Sequence, residues 1–472
     1  MMRERTRVRS HVGIAIATAL ALTGCMVGPD YVKPDAPMTA TFKEMPPAKR
    51  AEPADLAPRG PWWSVYDDPV LNDLMTQVPA ANQSLRVAEA NYRQAQAAVQ
   101  AARAGLYPTV GVNVGALRAR TGSGNTQSQF TLGVPVDWEL DLWGKIRRSV
   151  EASEDTAQAS EADLAATRLS LEAELAQTYV SLRVADRAKR LLDETVAAYE
   201  RSLALTQNRY QAGVVARADV VQAETQLLNA QAQVINIGAT RAQLEHAIAV
   251  LIGKPPAEFS LAAVDGLPAL PAIPDAVPSV MLERRPDIAA AERRIAAANA
   301  EIGVATAAFY PTISLSGSIG FGGSSAASWV SLPNRVWALG AQLATPLFDA
   351  GLRKAQRDET IAAFDATVAT YRQTVLTSFQ DVEDNLALMR ILEDGARVQR
   401  QAVESARKAV ELATNQYRAG LVNYISVVAL QAIQFAAERD EVELEGRRLA
   451  ASVALIKALG GGWNAADLRP AG

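Results

Sequence analysis

One cysteine, Cys25, and two histidines, His11 and His246, are all that the 472 residues supply of the usual transition-metal ligands. A lone cysteine excludes an intrachain disulfide and a cysteine metal cluster. His11 stands in the opening segment, so a histidine-built metal site or a Ser-His-Asp triad lacks its parts. A Gly-rich phosphate loop is missing too. The sequence is therefore read as no enzyme and as needing no cofactor. Charge of one sign is not in excess, with 47 Lys and Arg against 51 Asp and Glu, so nucleic acid is not an expected partner. After the first residues no apolar run reaches the roughly 18 residues of a transmembrane helix. A chain that spans a membrane without such a run must do so with strands, which satisfy every backbone polar group in lipid.

What is present begins with Arg3, Arg5, Arg7 and Arg9, then an apolar run from Val12 to Leu22, then Leu22-Thr23-Gly24-Cys25. A basic start, a short apolar stretch and small residues mark a cleaved secretory signal, here 1–24. The Leu-Thr-Gly-Cys ending resembles the bacterial lipobox. It implies that Cys25 carries an S-diacylglycerol and an N-acyl chain such as palmitate. Met26 follows in place of the Asp that tends to retain lipoproteins at the inner membrane, which favours the outer membrane.

The rest of the chain is one plan written twice. Leu106-Tyr107-Pro108-Thr109 recurs as Phe309-Tyr310-Pro311-Thr312, and Asn208 to Gly213 recurs as Asn415 to Gly420. After each Tyr-Pro, apolar residues alternate with small or polar ones. Phe130, Leu132, Val134, Val136 and Trp138 do so in the first half, and Ile313, Leu315, Ile319 and Phe321 in the second. Period two is the mark of a strand with one apolar face. Gly122-Ser123-Gly124-Asn125 and Gly322-Gly323-Ser324-Ser325 supply turns. Each half then gives two strands, so the chain gives four. Four strands cannot close a membrane barrel, whose smallest size is about eight. Two copies would supply eight strands and three would supply twelve.

Proline is absent between Pro135 and Pro255 and between Pro346 and Pro470. Strong helix formers fill both tracts. Each holds a near-continuous helix of about 70 residues, hence roughly 100 Å long at 1.5 Å per residue. Val403, Ala406, Val410, Ala413 and Tyr417 step as a coiled-coil seam, as do Leu164, Leu171, Leu175 and Leu182. The expected division is a signal peptide at 1–24, a Pro-rich lead-in at 25–79, a first repeat at 80–254, a linker at 255–281, a second repeat at 282–459 and a tail at 460–472. The first repeat holds helices near 81–106, 143–211 and 216–252 with strands within 109–139. The second holds helices near 282–308, 350–419 and 423–459 with strands within 312–345.

Several short motifs together resemble the outer membrane factor family, the TolC-like channels of tripartite efflux pumps and type I secretion, in its NodT-type lipoprotein branch. They are Val27-Gly28-Pro29-Asp30-Tyr31 after Cys25, Trp62-Trp63, Asp68-Pro69, Trp138 to Gly144, and Glu283-Arg284-Arg285-Pro286-Asp287-Ile288 with Ala291-Glu292-Arg293-Arg294. The resemblance implies an α+β membrane protein working as a homotrimer. A twelve-stranded β-barrel in the outer membrane would continue as a periplasmic α-helical barrel. It also implies a periplasmic adaptor and an inner-membrane pump, of the proton-driven RND type, as partners. Passive conduction of pump cargo is the function implied. The alternatives are the outer-membrane component of a type I secretion system and a non-conducting coiled-coil lipoprotein.

The same resemblance puts a gate at the tips of the helical hairpins. Family members often carry an acidic ring there; the matching positions here are Ser426 and Ala429, with Ile425 as an apolar plug. Asp219 matches a family aspartate, although at a helix start it also complements the helix dipole. Tyr210 and Tyr417 match gate-proximal tyrosines, although tyrosine at a helix end can simply pack. The expectation is a gate held by apolar and Tyr-Asp contacts.

Overall fold

The computed structural model describes residues 26–37, 39, 41–44, 61–120, 122, 124, 126–264, 266–271, 284–465 and 468. Segment 1–24 and the lipid-attachment candidate Cys25 lie outside the described residues. The helices are α1 (Pro69–Ala81), α2 (Gln83–Ala104), α3 (Lys145–Gln211), α4 (Arg217–Leu251), α5 (Pro286–Ala307), α6 (Leu352–Arg418) and α7 (Tyr424–Ala458). The strands are β1 (Thr109–Val110), β2 (Asn113–Arg120), β3 (Thr126–Leu140), β4 (Thr312–Gly323) and β5 (Arg335–Ala344). The tandem plan is visible in the lengths. Helices α3 and α6 have 67 residues each, α4 and α7 have 35 each, and α2 and α5 have 22 each.

Two differences from the sequence reading have physical causes. The Pro-rich lead-in contains helix α1, because Pro69 sits at a first-turn position where its missing N–H is harmless. Asp68 caps this helix by accepting from the N–H groups of Val70 and Leu71. The first strand is interrupted at Gly111 and Val112, although β1 and β2 keep one register against β3. Pro135 lies opposite Gly111; it accepts from the Gly111 N–H at 3.0 Å but has no N–H to return.

Long helices need firm starts. Gly144 (φ 77°) and Gly351 (φ 89°) turn the chain into α3 and α6 in a left-handed conformation that favours glycine. The Asp141 carboxylate accepts from the N–H groups of Ile146 and Arg147, both at 2.9 Å. The Asp349 carboxylate does the same for Gly351 and Arg353 at 3.0 and 3.3 Å. Each carboxylate also takes the guanidinium of the arginine it caps, Arg147 or Arg353.

The shorter helices stack end to end into rods that run beside the long ones. Asn82 caps α2 through Leu85 N–H and donates its amide to the Leu251 carbonyl at the end of α4, at 2.8 Å. Arg285 stands before α5 and donates to the Ala458 carbonyl at the end of α7, at 3.1 Å. So α4 stacks on α2, and α7 on α5. Helix α3 packs on α2, α4, α5 and α7, whereas α6 packs on α5 and α7. The α4–α2 rod thus stands at one flank of the chain and α6 at the other.

A belt of buried side chains fixes these rods at mid-height. Trp62, Tyr66, Leu71, Met75 and Val78 pack on Leu175, Tyr179 and Leu182 of α3, Ile248 of α4 and Val453 of α7. Full burial of one such side chain stabilises by roughly 1.5–3 kcal/mol.

The sheet runs β1/β2–β3–β4–β5, all antiparallel. Its two outer lanes, β1/β2 and β5, each pair on one side only. One chain therefore makes an open sheet, not a closed barrel.

Candidate functional site: an apolar sheet face and two helical tips

Residues directly opposite in a ladder share a face. Leu132 faces Phe321, Val134 faces Ile319, Trp138 faces Leu315, and Leu140 faces Ile313. Ile319 in turn faces Trp337, and Ile313 faces Leu343. Val114 faces Leu132 on the other side. These pairs put most of the apolar side chains of every lane on one face, with Leu117, opposite Gln129, and Val336, opposite Gly320, on the other. The opposite face carries Gln129, Thr131, Asp137, Ser314, Ser316, Ser318 and Gln342. The apolar face is bare: Trp337 is 74% exposed and Leu339 81%. An exposed apolar surface of this extent marks a partner that is itself apolar. Strand β3 has 15 residues, more than the roughly 9–11 a tilted strand needs to cross a bilayer. No described helix is long and apolar enough to cross one.

Just below the sheet, the segment after Cys25 is held in place. Val27 N–H donates to the Trp143 carbonyl at 3.1 Å, and Arg148 reaches Asp30 at 2.9 Å. Gly144 leaves room for Met26, and Gly28 for Gly303; a Cβ at either glycine would collide with that neighbour. Tyr31 OH donates to Glu292 at 2.5 Å, and the Pro29 carbonyl accepts from Asn299 at 2.9 Å. The described residues between 26 and 44 form a strap laid over α3, α5 and α6, with Phe42 buried against Phe379.

At the far end lie two tips, each closed by the same hydrogen bonds. Gly213 (φ 72°) and Gly420 (φ 78°) end α3 and α6. Val214 N–H reaches the Arg209 carbonyl and Leu421 N–H the Gln416 carbonyl, both at 2.9 Å. A glycine in the left-handed conformation is the usual way to end a helix with these bonds.

The sequence-derived gate residues separate in space. Tyr417 is 2% exposed and its ring lies 5.3 Å from that of Tyr424, in a core with Ala223, Ala413 and Val427. Tyr210, at the equivalent place of the first repeat, is 44% exposed. Asp219 is half-buried in the first turn of α4. Among the described residues neither tyrosine side chain hydrogen-bonds to Asp219, whose N–H instead reaches back to the Ala216 carbonyl at 3.1 Å. Ile425 and Ala429 are exposed one turn apart on α7, and Ile433 extends that face. Ser426 is half-buried and donates to Asn423 at 2.9 Å.

A different latch joins the tips. Arg209 of the first repeat donates to the Tyr417 carbonyl of the second at 2.5 Å, and its guanidinium lies 4.3 Å over the Tyr417 ring. Ser202 and Tyr424 hydrogen-bond at 2.9 Å. Tyr199 OH accepts from Gln226 at 3.0 Å. Burial pushes the Tyr199 and Tyr424 phenols up, so both stay neutral hydrogen-bonding groups. Sequence reasoning missed Arg209, Ser202 and Tyr424. The one signal available was that Arg209 adjoins Tyr210-Gln211-Ala212-Gly213, which recurs as Tyr417-Arg418-Ala419-Gly420.

Comparison with known proteins gives one consistent result. The model of the outer membrane efflux protein family matches residues 74–254 and 277–461. The toluene efflux pump outer membrane protein TtgC of Pseudomonas putida is 33% identical over 466 residues, covering 96% of both chains. The solved outer-membrane channel OprN is 33% identical with a TM-score of 0.84, covering 93% of this chain and all of that one. The open-state outer membrane channel MtrE of Neisseria gonorrhoeae has a TM-score of 0.83 at 29% identity, covering 93% and 98%.

Proposed function

Since the chain belongs to the outer membrane efflux protein family, we propose that three copies of it build the exit duct of an efflux pump. The protein is an outer-membrane efflux channel subunit. The observation that supports a shared barrel is the open sheet with a bare apolar face and one unpaired edge on each flank. An open edge in lipid leaves backbone groups without partners at a cost of several kcal/mol each. A neighbouring copy supplies the missing strand, and three copies give twelve lanes. The polar face of Ser, Thr and Gln then lines water, as in other membrane barrels. The long helices, roughly 100 Å each, continue the duct into the periplasm. Conduction is passive, with energy supplied by an inner-membrane pump coupled through a periplasmic adaptor.

Cys25 serves as an accessory lipid anchor. The strap that follows it starts with Met26 beside Gly144, where the sheet passes into the helices, and this supports an anchor on the periplasmic side of the membrane. At the tips, Arg209, Tyr417 and Tyr424 hold the two hairpins of one chain together, while Ile425, Ala429 and Ile433 face away from that core. We assign the resting closure to these apolar side chains.

The oligomeric reading is tested by native mass measurement of the detergent-purified chain and by gels with and without heating. A three-chain species that dissociates only on heating is expected; a monomer under all conditions contradicts it.

A further inference from the structure

The strand pairs carry few charges, and those few are sorted by height and by face. Between Pro108 and Asp137 the only charged residues are Arg118 and Arg120, and between Pro311 and Asp349 the only one is Arg335. All three are exposed. They stand at the end of the sheet away from the helices. Strand β2 ends at Arg120, β3 starts at Thr126 and β5 starts at Arg335, whereas α2 and α5 enter, and α3 and α6 leave, at the other end. The helices reach into the periplasm, so the arginine end is the outer one.

Register places all three on the apolar face. Arg118 lies opposite Ser128 and Arg120 opposite Thr126, in the alternate rows that continue to Phe130 and Leu132. Arg335 lies opposite Phe321, which itself lies opposite Leu132. The acids are sorted the other way. Asp137 lies opposite Ser316 and Glu139 opposite Ser314, on the polar face and at the helical end. The apolar face of the strands thus holds cations at its outer margin and no carboxylate.

The spacing fits a bilayer. From Leu140 to Phe130 the apolar rows of β3 extend about 33 Å along the strand. At a tilt near 40° that is roughly 25 Å in height, the height of the apolar band of a membrane barrel. Aromatic side chains mark the outer edge of this band. The ring of Trp329, in the connection from β4 to β5, lies 6.2 Å from that of Phe130, and Trp337 is exposed two residues from Arg335 on the same face. Arg118 and Arg120 come next, at the level of the lipid headgroups. Arginine is costly at the centre of a bilayer but costs little near its margin. Its long stem also lets the Arg335 guanidinium rise to the headgroups. Identical neighbours in a ring bring no acid to this level either.

We infer that Arg118, Arg120 and Arg335 form an outward-facing belt that binds the phosphate groups of outer-leaflet lipids. The inference rests on the shared-barrel reading above and adds a lipid site to it. A guanidinium can donate two parallel hydrogen bonds to one phosphate. That favours a phosphorylated glycolipid over a zwitterionic headgroup, whose own cation competes for the phosphate. No carboxylate of the strands stands on this face to neutralise the belt.

Lipid retention tests it. The full chain is reconstituted in phosphatidylcholine vesicles that contain either diphosphoryl lipid A or lipid A stripped of its phosphates. It is then extracted in detergent, and the lipid still bound is read by native mass measurement. Several-fold more of the phosphorylated form should be retained. Arg118→Gln, Arg120→Gln and Arg335→Gln together should abolish that preference, and lysine at the same three positions should keep part of it. Equal retention of the two lipids by the unmodified chain overturns the belt, as does an undiminished preference in the glutamine variant. The comparison of lipids in the unmodified chain needs no variant, so it decides the matter even where a variant fails to assemble. A chain that enters neither kind of vesicle contradicts the barrel reading instead.

Discussion

Asn82 and Arg285 stand at matching joints of the two repeats, each donating a hydrogen bond to a last-turn carbonyl of the helix stacked end to end with its own. Asn82 reaches Leu251, and Arg285 reaches Ala458. Behind each joint a left-handed glycine, Gly253 or Gly460, lets the backbones cross; a Cβ there would strike Ala81 or Arg284. The joints turn two short helices into a rod that keeps pace with a 67-residue neighbour.

Asn82→Ala removes a helix cap and leaves a buried carbonyl without its donor. A loss of about 2 kcal/mol is expected from the two effects together. Asn82→Ser keeps a capping oxygen but loses the reach to Leu251, so its loss should be smaller. Chemical denaturation of the purified protein measures both.

The tip latch predicts a change in conduction. Arg209→Ala removes the bond to Tyr417 and the stacking over its ring, so resting single-channel conductance should rise several-fold. Arg209→Lys keeps the charge but not the planar fork and should fall between. Ile425→Ala should also raise conductance by opening the apolar closure, as should Asp219→Asn if the aspartate contributes across copies. Unchanged conductance in all of these variants contradicts the closure assigned to the tips.

Much of this architecture could be read from the sequence, and the gaps have definite causes. The repeat shows in Tyr107-Pro108 and Tyr310-Pro311, and the strands show in the alternation around Val134 and Ile319, because each is a local pattern. Helix α1 was hidden because Pro69 and Pro79 look like loop residues until Pro69 is placed at a first turn. The break in the first strand depends on Pro135, which lies in the partner strand. At the tips, repeat equivalence suggested equal roles for Tyr210 and Tyr417. The two hairpins pack against each other, and only Tyr417 faces the shared core. Arg209 gains its role from that packing, which no spacing in either repeat records.

The two faces of the sheet should respond differently to charge. Leu339→Arg places a cation on the apolar face, where about 2–4 kcal/mol is lost near the bilayer centre. Ser316→Arg places the same charge on the polar face of the adjacent lane and should be tolerated. The amount of assembled protein in outer-membrane fractions compares them; equal losses contradict the assignment of faces.

Acid should stabilise one part of the helical region. Asp155 is pushed up to about 6, chiefly by burial, with Glu151, Glu292 and Glu154 adding like charge against the pull of Arg293. Arg293 lies 3.4 Å away but is engaged by both Glu292 oxygens. A carboxyl raised above its unfolded value costs stability as pH climbs through the usual carboxylate range to about 6, and the full cost stands above that. Asp155→Asn should therefore stabilise the protein by about 1 kcal/mol at pH 7.5, after discounting for solvent screening. It should change little at pH 4. Thermal melts at the two pH values check the sign.

The most direct measurement is electrical: the purified three-chain protein is added to a planar lipid bilayer under an applied voltage. A shared barrel continued by a helical duct predicts discrete, uniform current steps that appear only with the assembled species. A bilayer that stays silent after insertion of the intact assembly, with the Arg209→Ala variant equally silent, contradicts the conduit.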